Sequence, residues 1–239
     1  MKRLGSWSPG FRIGALVVLV AVLGAALWLI FLRSKQSTAT SSKLKGSLAN
    51  NQPLQNSGGE AATFSARGPV NLTGEFFKVQ GANGRSCATC HIPEESWSIT
   101  PATLQRLFDE TNGTHPVFNQ LDADNPNMDV STVEARRKTY SMLLTRGVFR
   151  RGGPPRPDSE WELIAVDDPH GFASVNQLVH WRRAMPTINF PVGSVTVTWD
   201  AGANVGKGQR AALANLNTRL ATGALQGKPF TPEVIDEII

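Results

Sequence analysis

The chain has 239 residues, 41% of them hydrophobic, with six Trp and eleven Phe; this excludes disorder throughout and allows one domain with a sizeable core, or one and a fragment of another. Two Cys exclude a disulfide-rich scaffold and a four-cysteine zinc module. The formal net charge of +5 comes from Lys2, Arg3, Arg12, Arg33, Lys35, Lys43 and Lys45, all ahead of the first acidic residue, Glu60; residues 46–239 hold 17 basic against 19 acidic side chains, which removes the case for nucleic acid.

In chain order, residues 13–32 form an apolar run without charge, flanked by Arg12 and by Arg33 and Lys35. At ~1.5 Å rise per residue the run covers a ~30 Å hydrocarbon core, which predicts one N-terminal transmembrane helix. It exceeds the ~7–15 apolar residues of a cleavable signal and ends without a small-residue cleavage site, so it reads as an uncleaved signal-anchor. Residues 33–70, rich in Ser, Thr, Asn, Gln, Ala and Gly, read as a flexible linker.

The folded part is expected over residues 71–200. Leu72, Phe76, Phe77 and Val79 suggest a short helix, ended by Gly81-Ala82-Asn83-Gly84. Thr100-Pro101 is an N-cap followed by proline at the first helical position, leading into Leu104, Leu107 and Phe108. Ser131-Thr132-Val133-Glu134 reads as a capping box opening a helix to about Arg146. Residues 112–129 and 150–158 read as long loops, the second set by Gly152, Gly153, Pro154, Pro155 and Pro157. Residues 161–166 and 195–199 are short strand-like runs. Residues 208–222 form an alanine-rich helix, and Thr231-Pro232-Glu233 caps a last one, so 201–239 reads as a helical tail. Asp122 and Asp124 lack the glycine and terminal Glu of a calcium loop and read as a plain turn.

Cys87-Ala88-Thr89-Cys90-His91 is the C-x-x-C-H pattern of c-type haem attachment. Two thiols add to the haem vinyl groups as thioethers, and the adjacent imidazole reaches the iron from the same short turn. A redox C-x-x-C would need a preceding strand and a continuous following helix, where here a Gly-rich turn precedes and Pro93 follows. Zinc would need more ligands than one Cys pair and four His comfortably supply. One covalent haem c is therefore expected on Cys87 and Cys90, with His91 as the proximal iron ligand. Attachment of this kind places the haem domain outside the cytoplasm. The expected location is then the inner membrane, single-pass, with residues 1–12 cytoplasmic and the haem domain in the periplasm.

Gly84-Arg85-Ser86 ahead of the motif, and Trp97-Ser98-Ile99-Thr100-Pro101 after it, resemble the first haem domain of the bacterial dihaem cytochrome c peroxidase and methylamine-utilisation dihaem oxidase superfamily. The resemblance extends through Asp129-Val130-Ser131-Thr132, Ala135-Arg136-Arg137, Tyr140-Ser141, Val166-Asp167-Asp168-Pro169 and Arg182-Arg183, over about residues 72–200. It implies a mainly α, cytochrome c-like haem domain with long loops and short strand-like segments, behind the one N-terminal transmembrane helix. It also singles out Trp199 for an electron path, since members place a Trp between their two haems. Three departures stand out: there is no second C-x-x-C-H, Trp199-Asp200 is followed by Ala201-Gly202 rather than Gly-Arg, and no Glu or His lies between Asp200 and Glu233. Electron transfer survives these losses better than peroxide reduction.

The distal iron ligand is sought among Met128, Met142, Met185, His115, His170 and His180, or the site is open. Met185 leads, because Met185-Pro186 follows the Arg182-Arg183 pair in a loop. Arg182 and Arg183 are the candidate partners for haem propionates. The expected function is a membrane-anchored, exported c-type cytochrome in electron transfer, served by a redox partner protein or small electron donor. The alternatives are a peroxidase-like enzyme reducing hydrogen peroxide and a degenerate haem-binding scaffold or sensor. Because the resemblance ends near Trp199, and Val234, Ile235, Ile238 and Ile239 form an apolar face, a second haem domain beyond Ile239 is also expected.

Overall fold

The computed structural model describes residues 44–188, 197–198 and 208–239. The apolar run at 13–32 and its flanking segment 1–12 lie outside them, as does Trp199. Two expectations are corrected. The single-pass inner-membrane location is not supported: among the described residues no helix is long and apolar enough to cross a membrane. The longest described helix has 14 residues, about 21 Å at ~1.5 Å per residue, well short of the ~30 Å needed. Nor is the fold plainly mainly α: among the described residues it is 32% helical with 15% strand. Antiparallel pairs form where Gly- and Asn-rich composition suggested loops.

Strands β1 (Ser47–Leu48) and β4 (Val70–Asn71) pair antiparallel, as do β2 (Leu54–Asn56) and β3 (Gly59–Ala61). The segment expected to be a linker to residue 70 is thus folded from its first described residues. Two leucines explain this. Leu48 and Leu54 are buried and pack with Trp97, joined by Phe76 and Phe77. The intervening loop is closed by Asn50, whose Nδ2 donates to the Ser65 carbonyl and whose Oδ1 accepts the Ser65 N–H, both at 2.9 Å. A few apolar anchors and a doubly bonded Asn suffice to order a polar segment.

Helix α1 (Pro101–Thr111) begins as the sequence predicts: Thr100 accepts the Thr103 N–H, and proline occupies the first turn. Its buried face, Leu104 and Phe108, packs with Ile99, Val117, Phe118, Tyr140, Leu143, Leu144 and Phe149 in the largest described core cluster. The expected long helix to Arg146 is instead two, α2 (Val133–Thr139) and α3 (Ser141–Arg146), and the cap is Thr132 rather than Ser131. Buried Asp124 causes the break at Tyr140. Its carboxylate accepts from Ser141 Oγ at 2.5 Å and from the Met142 N–H at 3.1 Å, replacing the helical acceptor. Tyr140 turns inward, its hydroxyl donating to the Phe118 carbonyl at 3.1 Å.

Residues 149–153, at the start of an expected loop, are strand β5 (Phe149–Gly153), paired antiparallel with β6 (Leu178–Arg182). Gly152 is there for close approach: a Cβ would lie 1.9 Å from the Leu178 carbonyl oxygen. The strand-like run at 161–166 is irregular and exposed, with Trp161 and Ile164 facing solvent. Helices α4 (Gln209–Thr222) and α5 (Pro232–Ile238) appear where expected. They do not form a separate tail. The Asn83 amide donates to the Ala224 carbonyl at 2.9 Å, Gly81 bridges Gly227, and Glu237 on α5 accepts the Glu75 N–H at 2.8 Å.

Candidate haem-attachment site

Cys87–Thr89 form one turn of 3-10 helix, opened by a capping box in which the Ser86 N–H donates to Thr89 Oγ1 at 2.9 Å. The Cys90 and His91 amides both return to the Cys87 carbonyl, at 3.2 and 3.1 Å. Both cysteines and the histidine are therefore carried by a single tight turn. Both thiols are free. Burial pushes each up from an ordinary value of 9.0 to about 11, for Cys90 against the pull of the Arg85 charge. At neutral pH they are protonated thiols, the opposite of the low-pKa thiolate that a disulfide oxidoreductase needs.

The turn is fixed from upstream by Arg85, which is 2% exposed. Its guanidinium pairs with Asp122 at 2.5 Å and donates to the Pro116 and Val117 carbonyls at 2.7 Å each. Arg151 satisfies the second Asp122 oxygen. Asp122 and Asp124, expected to mark a plain turn, are thus the buried acceptors of the core. Downstream, the segment after His91 closes on itself: the Ile92 N–H donates to the Ser98 carbonyl and the Trp97 N–H to the Ile92 carbonyl, both at 2.9 Å. Ser96 and Trp97 are both left-handed, at φ 56° and 60°. For residues with side chains this costs on the order of 1–3 kcal/mol each and persists only where the surroundings enforce it.

His91 Nδ1 lies 3.0 Å from the Trp97 carbonyl. A carbonyl only accepts, so Nδ1 carries the proton and the lone pair resides on Nε2. Burial lowers the imidazole pKa, opposed by the Trp97 carbonyl and by a second backbone acceptor at Met185. Phe76 stands beside the ring, with centroids 6.4 Å apart.

The donor set fits a covalently attached haem: two half-buried neutral thiols, and a neutral imidazole oriented by a backbone carbonyl. A cavity of about 290 Å³ flanks the turn, lined by Ala88, Thr89, Ile92, Leu107, His115 and Pro116 among others. That is near the lower bound of small-molecule pockets, ~300–1,000 Å³, so the match lies in the donors rather than in this space. Among the described residues there is no group of three or more His, Cys, Asp or Glu placed to hold a metal ion.

The remaining candidates divide. Met185 is 41% exposed, and the neighbouring Ala184 carbonyl accepts from Ser98 Oγ at 2.5 Å. Arg182 lies on β6, and Arg183 donates to the Arg146 carbonyl at 2.7 Å. His115 Nδ1 accepts the Val117 N–H at 3.2 Å, which places its proton on Nε2. His170 stacks edge-on against Trp181, and His180 is exposed on β6. Met142 is tied to Asp124 through its N–H, and the Met128 carbonyl accepts from Gln120. The residues that orient His91, namely Trp97, Phe76 and Thr63, carry no site signal in the sequence beyond the place of Trp97 in the resemblance, because a left-handed φ leaves no trace in composition.

No family model, curated protein or solved structure matches the chain.

Proposed function

We propose that this protein is a c-type cytochrome that carries one haem on Cys87 and Cys90 and passes single electrons between a redox partner protein or small donor and an acceptor. The observation that carries the reading is the turn itself. C-x-x-C-H stands there with both thiols half-buried and free, and with His91 held by the Trp97 carbonyl so that Nε2 is the ligand nitrogen. The bound haem would supply a one-electron couple. The chain's own residues would hold it from one side, keep water from the thiols and fix the imidazole. The resemblance of residues 72–200 to the dihaem peroxidase superfamily supports haem chemistry, and the lack of any Glu or His between Asp200 and Glu233 favours electron transfer over peroxide reduction. Met185 is the distal ligand proposed from its place in the Met185-Pro186 loop after Arg182-Arg183.

The test is covalent haem. The full chain, produced alongside a haem-attachment system and extracted with acid–acetone, should retain one haem by intact mass. The double variant C87A/C90A should lose all of it. Release of the haem from the wild type would overturn the reading.

A further inference from the structure

We infer that Thr63 and Trp97 act together as a positioning pair for the His91 imidazole, so that the N-terminal strand segment sets the electronics of the haem ligand. This rests on the function proposed above and deepens it.

The chain of contacts is short. The Trp97 indole N–H donates to Thr63 Oγ1 at 2.8 Å, and the Trp97 carbonyl accepts from His91 Nδ1 at 3.0 Å. Between those two bonds stands the left-handed Ser96-Trp97 pair. An ordinary extended or helical backbone at Trp97 would turn its carbonyl away from the ring. Something must therefore hold the unfavourable conformation. Three constraints on the indole do so. Phe76 and Phe77 meet it edge-on, with centroids 5.7 and 6.1 Å away. Leu48 and Leu54 bury it to 6% exposure. Thr63 alone fixes its rotation by hydrogen bonding, and Thr63 is itself anchored, its carbonyl accepting the Asn51 N–H at 2.8 Å.

The carbonyl matters because a neutral imidazole has one N–H to give. Held by Trp97, it gives Nδ1–H and leaves the lone pair on Nε2; released, nothing in that bond selects the tautomer. Hydrogen bonding at Nδ1 makes the imidazole a better donor through Nε2, which favours the ferric over the ferrous state. Weakening the anchor should therefore raise the midpoint potential without touching the thioether links.

The test uses the full haem-bearing chain and three variants. Thr63→Val removes the acceptor at nearly constant volume, Thr63→Ser restores it, and Trp97→Phe keeps a ring but loses the N–H. All should keep one covalent haem by mass. Thr63→Val and Trp97→Phe should shift the ferrous-to-ferric ratio upward by up to about tenfold, ~59 mV for one electron, and Thr63→Ser should return to wild type. In the haem-free chain, ring ¹⁵N spectra should show the Nδ1–H tautomer for His91 in the wild type and a tautomer mixture in the two deficient variants. Haem-loaded Thr63→Val and Trp97→Phe chains with unchanged potential and unchanged ring spectra would overturn the positioning role and leave the cytochrome reading intact. Should Thr63→Val not fold, Trp97→Phe decides alone. A wild type without covalent haem would overturn the function itself, and this inference with it.

Discussion

The two flanks of the Cys87–His91 turn are held by opposite chemistry. Upstream, Arg85 is buried in an ion pair with Asp122 and in bonds to backbone carbonyls, and the chain just before it is tied to residues 224–227. Downstream, Trp97 is held by aromatic edges, two leucines and one indole hydrogen bond, in a backbone conformation it would not choose alone. A buried charge tolerates little, because losing its partner leaves a desolvated ion. Aromatic packing yields by degrees, since each contact is small and the rings have room to readjust. The upstream flank is thus built to fix where the thiols sit. The downstream flank is built to set, and to allow adjustment of, how the imidazole points.

The largest expected effect breaks the upstream flank. Asp122→Ala would leave Arg85 buried without its counter-ion and should cost about 3–5 kcal/mol of stability in denaturant unfolding. A loss below about 1 kcal/mol would show that the flank does not depend on the ion pair. Next comes Gly81→Ala, whose Cβ would meet the Leu225 carbonyl oxygen at 1.6 Å. Pushing the two backbones apart should cost about 1–3 kcal/mol, with faster amide exchange at Ala82, whose N–H donates to the Gln226 carbonyl. Unchanged protection at Ala82 would refute the tie between the upstream flank and the C-terminal helices. On the downstream flank, Thr63→Val should cost only about 0.5–1.5 kcal/mol, the worth of one hydrogen bond. A cost as large as that of Asp122→Ala would erase the distinction between the flanks.

The smallest effect at neutral pH concerns the thiols, and it sharpens the comparison only in alkali. Both are raised from 9.0 to about 11 in the folded chain. Above pH 9 the unfolded chain loses these protons first, so the folded haem-free chain binds more protons and its stability falls from about pH 9 to about pH 11. Alkylation should be slow at pH 7 and accelerate over the same window. Rapid alkylation at pH 7 would mean that the thiols are neither buried nor protonated.

Some of this was legible in the residues and some was not. The Cys87–His91 turn, the Thr100-Pro101 and Thr231-Pro232 helix starts, and α4 were readable because each is settled within a few neighbours. The break at Tyr140 was not, because the competing acceptor, Asp124, lies 18 residues from Met142. β5 was hidden for a similar reason: Gly152 and Gly153 look like loop punctuation until Leu178 is laid against them. The linker assignment failed on two leucines, too few to count as a core in sequence and enough once Trp97 and two Phe rings surround them.

The amino-acid sequence by itself determined which atoms are available for chemistry at this turn: two thiols and an imidazole spaced to share it. It also determined the helix caps, since a side chain bonding a backbone N–H two or three residues away needs no distant partner. The tertiary structure alone decided how far burial raises those thiols, the proton on His91 Nδ1 and the company of Trp97. Each of these depends on burial and on partners brought from afar, Asp122 to Arg85 across 37 positions and Thr63 to Trp97 across 34. Desolvation and long-range hydrogen bonds exist only once the chain has closed around them, so no local pattern encodes them.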